Sequence, residues 1–575
     1  MRTSARQWLD ELLDVGSFIG WDRPPVEVDA DARYRAELRS AGQRAGTDES
    51  VLTGEGLLRG RRVAVIACEF GFLAGSIGVA AAERIVTAVE RASELGLPMV
   101  ASPTSGGTRM QEGTVAFVQM VKVAGAVAAH KAAGHPYLVY LRDPTMGGVF
   151  ASWGSLGHMT FAEPGALIGF LGPRVYEALY GRPFPEGVQT AENLYRSGVI
   201  DGVVPVRVFR RIAHRVLNVT TGQPDTSTSA PLTTNSPTAR TASAPPATNA
   251  PTPPSTNTPT PPDMNAPTPS SASTTTNLPT PPTANSPTAP DRGSGTPPTV
   301  RPPIPTTGTE HVVPQTVPDP ETTWRTVTIS RRPDRPGIRE LLRHATDRVP
   351  LSGTGQGESD RTVVHALARL RGRPCIVFGH DRAGQTGENT MGPAALREAR
   401  RSMQLAAELR LPLVLVIDTA GAALSREAEE RGLAPEIARC LADLVTLGTP
   451  TISVLLGQGS GGGALALLPA DRVLAARHSW LAPLPPEGAS AIVHRDTAHA
   501  PELAAAQRIR SPDLRTDGIV DRIIPENPDA ADEPVDFARR VVATVAEELD
   551  LLRTRPPHEL AALRRLRYRR LGLPT

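Results

Sequence analysis

Lysine is almost absent from this sequence. Of 575 residues only Lys122 and Lys131 are lysine, so the basic character is carried by arginine. We read that as GC-rich coding bias rather than chemistry. Charge of one sign is lacking too: 61 Lys and Arg stand against 59 Asp and Glu, a net charge of +2 that gives no electrostatic argument for nucleic acid or an anionic membrane. The three cysteines, Cys68, Cys375 and Cys440, lie too far apart for a disulfide framework or a CxxC zinc pattern. The start, Met1 to Trp8, shows no apolar core of a secretory signal. No apolar run is expected to approach the ~20 residues of a membrane span. The cytoplasm is the expected compartment. There is also no G-x-S-x-G, no H-E-x-x-H and no Walker A motif.

What is present is alternation of short apolar runs with helical periodicity. Gly60 to Ala67 reads as turn and strand, Ser76 to Leu95 as a helix with Ile77, Ala81, Ile85 and Val89 on one face, and Leu97 to Ala101 as a strand. A turn at Ser105-Gly106-Gly107-Thr108-Arg109 precedes a helix over Val115 to Ala133. Tyr137 to Leu141 is a strand, followed by Asp143-Pro144 and by Gly147-Gly148 at a helix start. Glycines at such a junction let a ligand approach backbone N–H groups with no Cβ in the way. A last helix reaches about Asn218.

The composition then changes. From about Thr220 to Glu321 the chain is Pro, Thr, Ser, Asn and Ala, and between Phe209 and Trp324 it has no aromatic residue. Such a stretch cannot bury enough apolar surface to order itself, so a disordered tether over 220–321 is expected between ordered parts 1–219 and 322–575. A coil of that length spans roughly 55 Å.

Beyond it the pattern repeats. An arginine-rich helix over Pro336 to Arg348 is expected first. Gly372 to Gly379 then echoes Gly60 to Ala67. Asp418-Thr419-Ala420-Gly421 lies 314 positions after Thr104 to Gly107, and Gly448-Thr449-Pro450 lies 314 after Gly134-His135-Pro136. Gly462-Gly463-Ala464 lies 315 after Gly147-Gly148-Val149. The chain reads as two copies of one α/β domain. In each copy two glycine-bearing turns at neighbouring strand ends can aim backbone donors at one point, the layout of an oxyanion hole, where one donor is worth ~3 kcal/mol of barrier. His130, His135 and His158 read as packing or surface residues. Glu112 and Glu163 read as capping or salt-bridge groups, and Glu487 as a helix cap or loop anchor.

The runs S-G-G-T-R-M-Q-E-G (Ser105 to Gly113), D-P-T-M-G-G-V (Asp143 to Val149) and A-E-P-G-A-L-I-G-F-L-G-P-R-V (Ala162 to Val175) resemble the carboxyltransferase β subunit of bacterial acetyl-CoA carboxylase. The runs I-D-T-A-G-A (Ile417 to Ala422), G-Q-G-S-G-G-G-A-L-A (Gly457 to Ala466) and P-E-G-A-S-A-I (Pro486 to Ile492) resemble the α subunit of the same enzyme. The resemblance implies a β–α fusion with two crotonase-like domains, each a β-β-α superhelix. It implies transfer of a carboxyl group from N-carboxybiotin, borne by a biotin carboxyl carrier protein and charged by a biotin carboxylase, to acetyl-CoA, giving malonyl-CoA. Propionyl-CoA as the acceptor, or an inactive scaffold, are the alternatives. By family position Gly147 and Gly148 serve the acyl thioester, and Gly462, Gly463 and Ala464 serve biotin. Ser105, Gly106, Gly107, Arg109, Gly169, Gly172, Thr419, Ala420 and Gly421 are the expected substrate-binding positions. A homo-oligomer with sites between β-type and α-type domains is implied, with neither nucleic acid nor membrane as partner. Two departures stand out. The N-terminal four-cysteine zinc ribbon has no counterpart, so no zinc is expected. Ala420-Gly421-Ala422-Ala423-Leu424 replaces the usual Pro-Gly-Ala-Tyr-Pro, which touches acyl and biotin fit.

Overall fold

A computed structural model describes residues 2–221, 317–387 and 389–574, with only the backbone of Arg174. The tether expected over 220–321 lies almost wholly outside the described residues. At its edges, helix Val206–Thr221 runs two residues into that range and helix Pro320–Ser330 begins inside it.

The first half builds β1 (Ile19–Gly20), β2 (Val51–Leu58), β3 (Arg61–Cys68), β4 (Met99–Ser102), β5 (Tyr137–Leu141), β6 (Thr145–Met146), β7 (Met159–Ala162), β8 (Ile168–Gly169) and β9 (Gly202–Val203). The second builds β10 (Ala345–Leu351), β11 (Val363–Leu370), β12 (Arg373–His380), β13 (Leu413–Thr419), β14 (Thr451–Ser460), β15 (Arg472–Ala476), β16 (Trp480–Ala482) and β17 (Arg522–Ile524). The main sheets run β1-β2-β3-β4-β5-β7-β9 and β10-β11-β12-β13-β14-β15-β17. In each, the opening strands are antiparallel and the rest parallel. Met99 pairs with Tyr137 in one sheet and Leu413 with Thr451 in the other, so the strand register repeats with the sequence. This is the duplicated α/β arrangement that the internal matches imply, and it agrees with the crotonase-like domains that the resemblance implies. The parallel strands are buried on both faces, which is why they read as continuous apolar runs rather than as alternation.

Two expectations change. The arginine-rich segment is not one helix: Ile338–Arg343 is helical, then β10 begins at Ala345. The β-branched Thr346 and Val349 and the interior Pro350 suit an edge strand better than a helix. The chain also does contain an apolar segment of membrane-spanning length. Met110–Ala132, 23 residues, is long and apolar enough by length and composition, and 78% of its apolar window is buried. Its helix, Gly113–Ala132, packs against Val79–Glu94 of its own half and against Leu433–Thr446 and Pro557–Arg570 of the other. Apolar residues all round are what a helix covered on every side requires. At the crossing, an added Cβ on Gly125 would stand 2.9 Å from Val445 Cγ1, so glycine sets how closely the two helices approach.

Other ties cross the halves. Thr114 Oγ1 donates to the Gln507 carbonyl (3.0 Å) and Gln119 Nε2 to the Leu571 carbonyl (3.1 Å). Arg569 reaches Glu83 (2.6 Å) and Glu90 (2.8 Å). The described residues of both halves accordingly belong to one compact unit.

Candidate active site between two glycine turns

The first turn follows β5 and β6. Gly147 sits at φ +65°, a conformation that favours glycine. The chain then closes one helical turn, with Ala151 N–H donating to the Gly147 carbonyl at 2.9 Å. The N–H groups of Gly148 and Val149 open that turn and have no acceptor within it. Gly147 is different: its own N–H donates to the Gly169 carbonyl at 3.1 Å, continuing the β6–β8 pairing. The Gly147 N–H is therefore already taken, and the N–H groups left open at this turn are those of Gly148 and Val149.

Beside it lies the Ser105–Gly107 turn. Ser105 Oγ accepts from Gly107 N–H (3.0 Å) and donates to the Gly107 carbonyl (3.1 Å). Gly106 N–H donates to the Ala74 carbonyl at 2.9 Å. A Cβ on Gly147 would stand 3.4 Å from Gly107 Cα, so the two turns touch.

The second half repeats this closely. Thr419 Oγ1 accepts from Gly421 N–H (3.1 Å) and donates to the Gly421 carbonyl (2.9 Å). β14 ends at Ser460, Gly461 takes φ +63°, and helix Gly461–Leu465 begins. The left-handed residue is thus Gly461, 314 positions after Gly147, like Thr419 after Ser105. The sequence match at 315 is one residue late. Gly462 is the counterpart of Gly148, and Gly463 of Val149. Three glycines in a row hide from the sequence which one turns the chain. The orphan donors of this short helix come from Gly462 and Gly463, both buried; Ala464 N–H, expected beside them, is instead taken by the first hydrogen bond of the helix, to its N-cap Ser460. Ala420 is exposed at the turn's rim. Behind it, Asp418 accepts from Gln458 N–H through Oδ1 (3.0 Å) and pairs with Arg382 through Oδ2 (3.0 Å), fixing the end of β14. Arg331 bridges the Gln458 side chain (3.1 Å) and Glu487 (2.6 Å), so Glu487, in the first turn of helix Pro486–Val493, neither caps that helix nor holds a loop but ties it to the end of helix Pro320–Ser330.

Phe170 joins the two turns. A Cβ on Gly147 would stand 3.9 Å from the Phe170 carbonyl oxygen, and a Cβ on Gly462 would stand 2.9 Å from Cε2 and Cζ of the Phe170 ring. The ring belongs to the first half and covers the donor turn of the second. Gly169 precedes it where any Cβ would strike the Gln189 side chain, and Gly172 caps helix Pro173–Tyr180. From the second half Glu429, 5% exposed, accepts from Phe170 N–H (2.8 Å) and Gln189 Nε2 (2.6 Å) through Oε1. Burial pushes its carboxyl up to about 7, against the lowering effect of those hydrogen bonds. Phe170 falls inside the run Ala162 to Val175 without being singled out there, and no motif marks Gln189 or Glu429.

Arg109 does not face the cleft. It is 1% exposed, with its guanidinium on Glu49 (2.5 Å), Glu112 (3.3 Å) and the Ser76 carbonyl (2.8 Å). Burial works against its charge, but Glu49, Tyr34 and Glu112 outweigh it and keep the group ionised. Arg109 is a buried ion-pair centre rather than a substrate contact. Glu112 also accepts from Val79 N–H (2.6 Å), capping the helix there. Glu163 accepts from Asp143 N–H (3.2 Å), His158 from Tyr137 N–H (3.0 Å), and His130 lies 2.8 Å from Ser93 Oγ. Burial pushes His130 down to about 4. These five side chains hold the scaffold. Among the described residues no group of three or more His, Cys, Asp or Glu is placed to hold a metal. What remains for chemistry is two sets of backbone donors, one per half, across a single aromatic ring.

Comparison with known proteins divides the chain in the same way. The family described as "Carboxyl transferase domain" matches residues 2–260, and "Acetyl co-enzyme A carboxylase carboxyltransferase-like" matches 314–572. The "Probable biotin-dependent acyl-coenzyme A carboxylase beta3 subunit" of Mycobacterium tuberculosis is 56% identical, over 100% of this chain and 99% of that protein. The "Acetyl-coenzyme A carboxylase carboxyl transferase subunits beta/alpha" of Salinispora arenicola is 35% identical, over 99% of this chain and 91% of the relative. A solved structure of transcarboxylase 12S aligns at a TM-score of 0.34 and 18% identity, covering 96% of this chain and 90% of that one, too slight a likeness to argue from.

Proposed function

The chain belongs to the carboxyltransferase family of biotin-dependent acyl-CoA carboxylases, and from that premise we propose that it carboxylates acetyl-CoA to malonyl-CoA. The observation that carries the chemistry is the paired geometry: donors at Gly148 and Val149 in one half, donors at Gly462 and Gly463 in the other, and Phe170 between them. Carrier-borne carboxybiotin supplies the carboxyl group and a ureido nitrogen able to take the α-proton. The chain need not provide a side-chain base, which agrees with the scaffold roles of His130, His158, Glu112 and Glu163. Gly148 and Val149 N–H stabilise the thioester oxygen as it gains enolate charge. Gly462 and Gly463 N–H stabilise the ureido oxygen as the carboxyl group departs. The reaction balances as acetyl-CoA plus carboxybiotin giving malonyl-CoA plus biotin. Glycine at 148, 462 and 463 suits the fit, since backbone donors must meet two flat, rigid groups closely.

In this reading the protein works in the cytoplasm as a homo-oligomeric subunit beside a biotin carboxyl carrier protein and a biotin carboxylase. Phe170 bridges the two donor turns within one chain, which supports a site between β-type and α-type domains. One assay tests the proposal: the protein, biotinylated carrier, biotin carboxylase, ATP and bicarbonate with acetyl-CoA or propionyl-CoA. Malonyl-CoA formed with higher kcat/KM supports it. Preference for propionyl-CoA moves the substrate, and no carboxylation of either by folded protein refutes the reading.

A further inference from the structure

Glu429 stands on the short helix Arg426–Glu430, which follows the loop leaving the second glycine turn. Its carboxylate crosses to the first half and takes two donors, Phe170 N–H and Gln189 Nε2. Gln189 Nε2 also donates to the Leu171 carbonyl at 2.7 Å, so the pair grips both residues of the turn after β8. The main chain held this way carries the ring that lies on Gly462 and the carbonyl beside Gly147. Sequence distance makes the contact notable: 259 positions separate Glu429 from Phe170. We propose that Glu429 is a positioning residue of the reaction, pinning Phe170 across the two halves so that its ring sets the gap between the donor turns and keeps water from the second. This rests on the carboxyltransferase reading.

The pin is electrostatically isolated. On its own helix Arg426 pairs with Glu430 (2.9 Å), and Glu427 pairs with Arg431 (2.8 Å). On the packed helix Ala191–Arg196, Glu192 accepts from Gly165 N–H and Arg196 donates to the Glu192 carbonyl, while Asn193 donates to Glu430. On helix Leu433–Thr446, Glu436 pairs with Arg397, Arg400 and Arg439, and Asp443 pairs with Arg400. None of these charges faces Glu429; burial and the bonds from Gln189, Phe170 and Leu171 alone act on it. Its ionisation therefore changes one thing locally, the strength of the grip, because a carboxylate is the stronger acceptor.

Two measurements on the full chain test the pin. The first needs no turnover: amide hydrogen exchange at Phe170 by mass spectrometry or NMR. Glu429→Ala is expected to speed exchange at Phe170 by at least about tenfold, whereas Glu429→Gln, which keeps an acceptor oxygen, protects it. Equal protection in Glu429→Ala and wild type overturns the pin, whatever the enzyme's substrate. The second is the pH profile of carboxyl transfer from malonyl-CoA to free biotin. The ratio of wild-type to Glu429→Gln rates is expected to rise about threefold between pH 6 and pH 8 as the wild-type carboxyl ionises. A flat ratio overturns the positioning role. A wild type without transfer activity refutes the carboxyltransferase reading and leaves the exchange result to judge the pin.

Discussion

Gly462→Ala isolates the junction from everything else the glycines do. Gly462 does not occupy the left-handed region, so alanine strains no backbone there. The added Cβ meets Ile437 Cδ1 and the Phe170 ring, all at 2.9 Å. Ordinary contact lies near 3.4 Å or beyond, so the ring must retreat by about 0.5 Å into a packed interface, an overpacking cost of about 1–3 kcal/mol. If the ring sets the gap between the donor turns, that displacement appears in the barrier. With a factor of ten for each ~1.4 kcal/mol, transfer from malonyl-CoA to free biotin falls about 10- to 100-fold. KM for malonyl-CoA changes little, because the first turn is untouched. Phe170→Ala in the same chain removes the ring atoms and recovers about 1 kcal/mol of stability relative to additivity, with Ile437 still in the way. Gly461→Ala is the contrast: its Cβ has only the Pro483 carbonyl at 3.5 Å, so its cost is left-handed strain of ~1–2 kcal/mol seen in a urea melt. Wild-type kcat and biotin KM in folded Gly462→Ala would refute the reasoning.

Four further outcomes are expected. The Glu429 carboxyl titrates near 7 in the fold against an ordinary 4.5, so its proton is held more tightly in the folded state. Its contribution to stability is complete below the unfolded value and is lost as pH rises to about 7, a change of about 3 kcal/mol that Glu429→Gln abolishes in urea melts across this range. Arg109→Ala leaves Glu49 buried without its partner and costs about 3–5 kcal/mol in a urea melt; a raised acyl-CoA KM without loss of stability would restore a substrate role. Ser105→Ala and Thr419→Val each loosen one turn by about 1 kcal/mol, the first raising KM for acyl-CoA and the second KM for free biotin. Arg569→Ala, at a partly exposed pair, costs only about 1 kcal/mol, read from a shift in the urea midpoint at low salt.

Much of this fold was legible because strand and turn chemistry are local. Tyr137 to Leu141 is a strand in sequence and structure alike, and the duplication shows in its turn signals. The glycine junctions were also legible, since only small residues permit them. What was not legible is long-range. Arg109 lies in a motif, yet its surroundings, Glu49 and Tyr34, come from a region with no recognisable pattern. Gly461 differs from Gly462 only in a dihedral angle. Phe170 and Glu429 meet only once both halves are packed, and neither residue type at its position announces that meeting. The helix over Val115 to Ala133 was legible, but its apolar length was not, because Lys122 and Gln119 interrupt the run. Both are buried, Lys122 on Glu83 at 2.6 Å and Gln119 on the Leu571 carbonyl.

That helix has a consequence for how the polypeptide comes into being. One of its sides is finished by residues of Leu433–Thr446 and another by Pro557–Arg570, both synthesised long after it. Until those arrive, a nascent first half displays a greasy rod that translocation machinery, chaperones and neighbouring nascent chains all recognise. A gene fragment ending at Thr221 should therefore yield inclusion bodies or chaperone-bound material. Supplying the later fragment from a second gene should return it to the soluble fraction. The later half thus acts as a dedicated folding partner for the earlier one, covalently supplied and always in equal amount.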